Sequence, residues 1–172
     1  MPKKILVTFA SRTGSTSGVA ERIYAVLKDL GENPELKPMN EVSDITGYDA
    51  VVAGSAIQAN KWLPEAMDFM HRHQTSLSEK PFASFTVCMT LAMKKGEQYR
   101  PTISGWIAPV RALARPVSEG IFAGALNIKK IPDAGDRLKF KLSTLFGVWK
   151  EGDYRSWHKI EKWAASLPEL LN

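Results

Sequence analysis

The sequence predicts an α/β domain built on a doubly wound, five-stranded parallel sheet with helices on both faces. Three observations predict it. Short apolar, β-prone runs alternate with segments of helical periodicity, the rhythm of a parallel sheet covered by crossover helices. The apolar runs are near-continuous, as in strands buried on both faces. A turn rich in glycine and hydroxyl groups separates the first strand from the first helix.

The first strand is placed at 5–10. A helix follows, with Val19, Ile23, Val26, Leu27 and Leu30 on one face and Gly31 as its stop. A weaker second strand lies at 34–38 and the third at 50–54 (AVVAG). The next helix opens near Pro64, with Ala66, Met67 and Met70 inward. The fourth strand spans 83–89, and a helix from about 101 to 113 is expected to kink at Pro109. The fifth strand is placed at 117–123. The last helix runs from about 154 to 167, burying Trp157, Ile160, Trp163, Ala164 and Leu167, with Pro168 ending or bending it. Residues 127–151 break the alternation. No repeat or linker interrupts the chain, so residues 1–172 read as one domain.

Composition narrows the function. The chain has 172 residues, 44% hydrophobic and 24% charged, within the range of globular domains. No apolar run is long enough to span a bilayer, and the apolar stretch near the N-terminus is too short for a signal-peptide core. The expectation is a cytoplasmic protein. Cys88 is the single cysteine, which excludes an internal disulfide and a cysteine-based metal cluster; it reads as a small buried hydrophobe. The net charge is +5, which attracts nucleic acid, anionic lipid or acidic substrates. No nucleic-acid motif or stacking platform accompanies the cations, so a nucleic-acid partner is not expected.

The most informative stretch is the turn Ser11, Arg12, Thr13, Gly14, Ser15, Thr16. Glycine lets backbone approach a ligand closely, and free N–H groups at a helix start favour an anion. Hydroxyls at 11, 13, 15 and 16 add donors, so a phosphate here needs no lysine. An ordinary Ser/Thr helix cap is the alternative. The turn is neither a Walker A loop nor G-x-G-x-x-G.

Phe9, Ser11, Gly14, Thr16 and Ala20 follow the spacing of the flavodoxin signature, and the chain resembles that family. Thr8 departs from it, at a strand position where the family prefers an apolar residue. The resemblance implies strand order 2-1-3-4-5 and FMN at the switch point between strands 1 and 3. It places the ring beside two loops, Ala56, Ile57, Gln58, Ala59 and Asn60 after the third strand and Thr90, Leu91 and Ala92 after the fourth, with Gly124 nearby. Trp62 is the aromatic candidate beside the ring, or else a core or interface anchor. The second loop has no aromatic, which points to an open ring face.

Further along, residues 48–57, the stretch 66–73 (AMDFMHRH) and residues 122–126 (FAGAL) resemble the menaquinone-dependent protoporphyrinogen IX dehydrogenases, flavodoxin-like proteins with an extra loop before the last helix. The extra segment here is 127–151. That resemblance implies oxidation of protoporphyrinogen IX to protoporphyrin IX in haem biosynthesis, FMN passing electrons to a membrane quinone, and a station in the cytoplasm or at the inner face of the cell membrane. The alternatives are an electron-carrier flavodoxin, a flavin reductase with another substrate, or a module without FMN.

The extra segment holds six cations (Lys129, Lys130, Arg137, Lys139, Lys141, Lys150) and three acids (Asp133, Asp136, Glu151), a local charge of +3. Leu138, Leu142, Leu145 and Phe146 share a helical face, with Val148 and Trp149 following. A basic amphipathic helix suits a membrane surface or an anionic tetrapyrrole; packing on its own domain is the alternative. His71, His73 and His158 read as surface or packing residues, so no catalytic side chain and no metal site is assigned. Flavin chemistry belongs to the cofactor.

Overall fold

A computed structural model describes residues 1–172. Strands β1 (Lys4–Ala10), β2 (Asn33–Pro38) and β3 (Ala50–Gln58) pair in parallel, with β1 central. A short strand β4 (Lys61–Trp62) folds back antiparallel on β3. Strands β5 (Phe82–Val87) and β6 (Ser118–Phe122) extend the sheet on the far side of β3, also in parallel. The order β2-β1-β3-β5-β6 is the expected doubly wound topology, displaced in numbering only by the β4 hairpin.

Alternation along the strands feeds two cores. From β1, Leu6 and Ala10 face the layer of α2 (Pro64–Arg72) and α4 (Arg100–Leu113); Ile5 and Val7 face α1 (Ser15–Asp29) and α6 (Trp157–Leu170). Thr8 belongs with Leu6 and Ala10 by its parity. It is fully buried, and its hydroxyl has no hydrogen-bond partner. A short helix α3 (Gln74–Ser78) joins α2 to β5. Cys88 is buried.

Several expectations are corrected. β3 runs four residues past Gly54 because Ala59 and Asn60, both at positive φ (50° and 61°), turn it into the β4 hairpin. Leu30 lies beyond the end of α1 and is exposed. Phe69 is fully buried in α2, while Met67 is half-buried. β5 stops at Val87, after which the chain enters a 3-10 turn (Met89–Ala92). α6 starts only at Trp157, where Ser156 Oγ caps it by accepting the amide of Lys159. Trp157 is exposed on that first turn, covered by the Arg155 guanidinium at 4.5 Å. α4 continues past Pro109 and α6 past Pro168. Each proline removes one bond to the fourth residue before it. In α6 the amide of Leu171 still reaches the carbonyl of Leu167, 2.8 Å away.

The extra segment forms α5 (Ala134–Leu145), flanked by β7 (Ala125–Leu126) and β8 (Gly152–Asp153), which pair antiparallel as a separate ribbon. α5 has no buried residue. The apolar face predicted from its periodicity exists, but it points to solvent rather than onto the domain.

Candidate cofactor site

A cleft of about 360 Å³ opens at the carboxyl ends of β1, β3 and β5, the crevice where doubly wound sheets bind ligands. Its floor is the turn between β1 and α1. Gly14 has φ +89°, a left-handed conformation that favours glycine, and it sets the chain into α1. The amides of Thr13, Ser15, Thr16 and Ser17 find no acceptor within the chain, whereas Gly14 donates to Ser11 Oγ at 3.1 Å. Four free donors at the positive end of a helix favour an oxyanion. Ser15 Oγ accepts the amide of Ala125 at 2.8 Å, so its own proton stays uncommitted.

The turn carries little side-chain charge into the cleft. Arg12 lines it but forms a bidentate pair with Glu65 at the start of α2; one arm, Nη2 to Oε2, is 2.9 Å. The Arg12 hydrogen bonds hold the Glu65 carboxyl below the usual carboxylate range, against partial burial. The attraction for an anion therefore rests on backbone donors and hydroxyls.

Of the residues expected around a cofactor, Ser11, Arg12, Thr13, Ser15, Thr16, Ala56, Ile57, Gln58 and Gly124 line this one cleft. Gly14 shapes the turn without lining it. Ala59 and Asn60 lie at the tip of the β3–β4 hairpin, off the lining. Thr90, Leu91 and Ala92 are also off it, because their 3-10 turn packs Leu91 against the α2–α4 core. Met89 reaches the cleft in their place. Trp62 is a core anchor: it is buried, and its Nε1 donates to Thr86 Oγ1 at 2.9 Å.

Sequence reasoning missed the opposite wall. Leu126, Ile131, Pro132, Asp133, Asp136 and Phe140, from β7 through α5, line the cleft. Leu126 and Ile131 form a small apolar cluster with Ile128, on which Met89, Phe140 and Trp149 pack. The aromatic absent from the loop after β5 is thus supplied by α5. Both acids of this wall are engaged: Asp133 caps α5 by accepting the amide of Asp136, and Asp136 pairs with Lys139 at 3.2 Å.

Arg155 was also missed. Its Nη1 donates to the Ser15 carbonyl at 3.3 Å, and it lies over Gly18, where a Cβ would come within 2.5 Å of it. Asp153 holds it from β8 with two bonds, 2.8 and 2.6 Å, which lower the Asp153 pKa. The return of the extra segment is thereby tied to the start of α1. The readable signal was Gly18, an isolated glycine inside a helix, which marks a close approach.

The profile of the flavodoxin-domain family matches residues 6–144. This chain belongs to that family. No curated protein matches it in sequence. Among solved structures, oxidised flavodoxin 2 of Bacillus cereus is 18% identical with a TM-score of 0.60, over 96% of this chain and 98% of the other. A short-chain flavodoxin associated with a non-canonical PDU bacterial microcompartment is 15% identical, with a TM-score of 0.59 over all of both chains. The two-electron reduced flavodoxin of Megasphaera elsdenii is 15% identical, with a TM-score of 0.57 over 94% and 98%. At these identities the likeness is one of fold.

FMN, the group that the family resemblance implies, fits the residues present. The turn offers amides and hydroxyls without carboxylates, the donor set of a phosphate site. Gly124 leaves room that a side chain would fill: a Cβ there would stand 3.1 Å from Ser15 Oγ and from Val87 Cγ1. Beyond the turn the lining includes Ile57, Leu63, Leu126, Ile131 and Phe140, apolar surface of the kind a planar ring system needs.

Proposed function

We propose that the chain holds FMN in this cleft and works as a quinone-linked oxidoreductase on a tetrapyrrole of the protoporphyrinogen class. The observation that carries this reading is the second wall. The extra segment brings Ile131 and Phe140, beside Leu126 of β7, into the cleft that the phosphate turn opens, an apolar addition that suits a substrate meeting the flavin there. The net charge of +5 supports an anionic substrate bearing propionates, and the resemblances in residues 48–57 and 122–126 favour the same chemistry.

When bound, FMN supplies the hydride-accepting chemistry. The chain's own residues do the rest. Thr13, Ser15 and Thr16 would hold the phosphate through amides and hydroxyls. Ile57 and Phe140, both lining the cleft, would exclude water from the ring's site. No side chain is assigned a proton-transfer role.

The test is oxidation of protoporphyrinogen by the FMN-loaded protein with a soluble menaquinone analogue. Stoichiometric protoporphyrin formation above the autoxidation rate supports the reading; none above that rate refutes it. An electron-carrier role is favoured by family membership and by the flavodoxin names of the structural matches. It predicts single-electron exchange with a redox protein and no turnover of the tetrapyrrole.

A further inference from the structure

Helix α5 is three-sided. At about 100° per residue, Leu138, Leu142 and Leu145 share one stripe, while Phe140 and Asp136 lie roughly opposite and line the cleft. The outward stripe is not covered. Leu138, Leu142, Leu145, Phe146 and Val148 are between 46% and 78% exposed, so large apolar side chains lie open to solvent along this stripe and the turn that follows it.

The charges around it are sorted. All three acids of the segment are engaged internally: Asp133 caps α5, Asp136 pairs with Lys139, and Glu151 Oε1 accepts the amide of Ile128 at 2.8 Å. Lys129, Lys130, Arg137, Lys141 and Lys150 have no carboxylate partner. Arg137 and Lys141 flank the leucine stripe on one side and Lys139 on the other, by the same spacing. Exposed leucines and a phenylalanine framed by cations, with Arg137 and Lys141 unpaired and Lys139 paired to Asp136, are the pattern of a helix lying in a lipid interface. No helix is long and apolar enough to cross a membrane, so the contact would be peripheral.

We propose that the outer face of α5, with the turn through Val148, docks on an anionic phospholipid surface. A second copy of the chain suits this face poorly, because a two-fold contact would set two +3 patches against each other. Lipid phosphates complement the same cations and the acyl boundary covers the leucines. The docked helix would bring the cleft to within about one helix diameter, roughly 10 Å, of the membrane, where a lipid-soluble quinone resides. Quinone delivery rests on the proposed function; the docking itself does not.

The experiment is co-sedimentation of the full chain with phosphatidylcholine vesicles containing about one-third phosphatidylglycerol, against phosphatidylcholine alone. Binding to the anionic vesicles, at least about tenfold above the neutral ones and weakened by salt, is expected. Leu142→Glu with Leu145→Glu should lower it about tenfold or more while the circular dichroism spectrum stays unchanged. Equal partitioning to both vesicles, none to either, or a wild-type dimer that the same two substitutions dissociate overturns the proposal. Vesicle binding needs no substrate, so docking without protoporphyrinogen turnover would refute the function alone, and turnover without docking this inference alone.

Discussion

Along β1, Ile5, Leu6, Val7 and Thr8 are fully buried, while in residues 127–151 only Ile128 and Ile131 are buried and Leu145 and Phe146 are 78% exposed. Both regions carry apolar residues at regular spacing. In the sheet, the period of two meets a covering helix layer on each side, so every side chain has somewhere to go. In α5, the period of 3.6 meets the domain on one side only, and that side is taken by Phe140 and Asp136. Amphipathic spacing thus reveals a face; what covers it depends on the surrounding fold. The sheet's apolar surface serves stability, and that of α5 is left for an interaction.

The contrast can be tested where the sheet has no slack. Gly54 lies beside Phe85 in the paired register, and a Cβ there would stand 2.2 Å from the ring. Gly54→Ala is expected to cost about 3 kcal/mol, the upper end for overpacking, measured by urea denaturation. A cost below about 0.5 kcal/mol would mean that the ring moves aside and the core is looser than described.

His73 sharpens the picture at the core's margin. It is buried against Phe69, with ring centroids 4.7 Å apart, and its Nε2 has no partner. Burial pushes its pKa below the usual value, with nearby Arg72 adding to the shift. The folded state therefore binds a proton less readily than the unfolded chain. Its contribution is intact above the unfolded pKa of about 6.5 and is lost as pH falls below it towards the folded pKa. Stability of His73→Leu should show a smaller decline over that window in denaturation at stepped pH; an identical decline would assign the effect elsewhere.

Thr8 is one of several buried polar residues of the sheet, and its hydroxyl has no hydrogen-bond partner. Thr8→Val keeps the shape and removes a buried hydroxyl without a partner, so a gain of about 1 kcal/mol is expected, read as a raised urea midpoint. The smallest effect belongs to α5. Leu145→Ser is expected to change folding stability by less than about 0.5 kcal/mol, and a larger loss would mean that its face is covered in solution.

The strands were legible because burial on both faces leaves near-continuous apolar runs such as AVVAG. The β3–β4 hairpin was not, because Ala59 and Asn60 turn at positive φ without the glycine that usually signals it. That the turn at 11–16 would border the cleft was legible because its residues are consecutive and join β1 to α1. The opposite wall was not: Leu126, Ile131 and Phe140 are spread over fifteen positions among charged residues and converge only through the β7–β8 ribbon. Trp62 could be read two ways until its burial and its bond to Thr86 decided for the core. Thr8, the one departure from the family signature, is where the core carries an unpartnered hydroxyl.

The turn at 11–16 is proposed to bind the phosphate of FMN in the cleft that the extra segment helps to line. Parallel titrations with FMN and with riboflavin, which shares the ring but lacks the phosphate, test it most directly. One-to-one FMN binding about 100-fold tighter than riboflavin is expected, the difference arising from charge-assisted bonds to the free amides. No FMN binding, or equal affinity for the two, would contradict it.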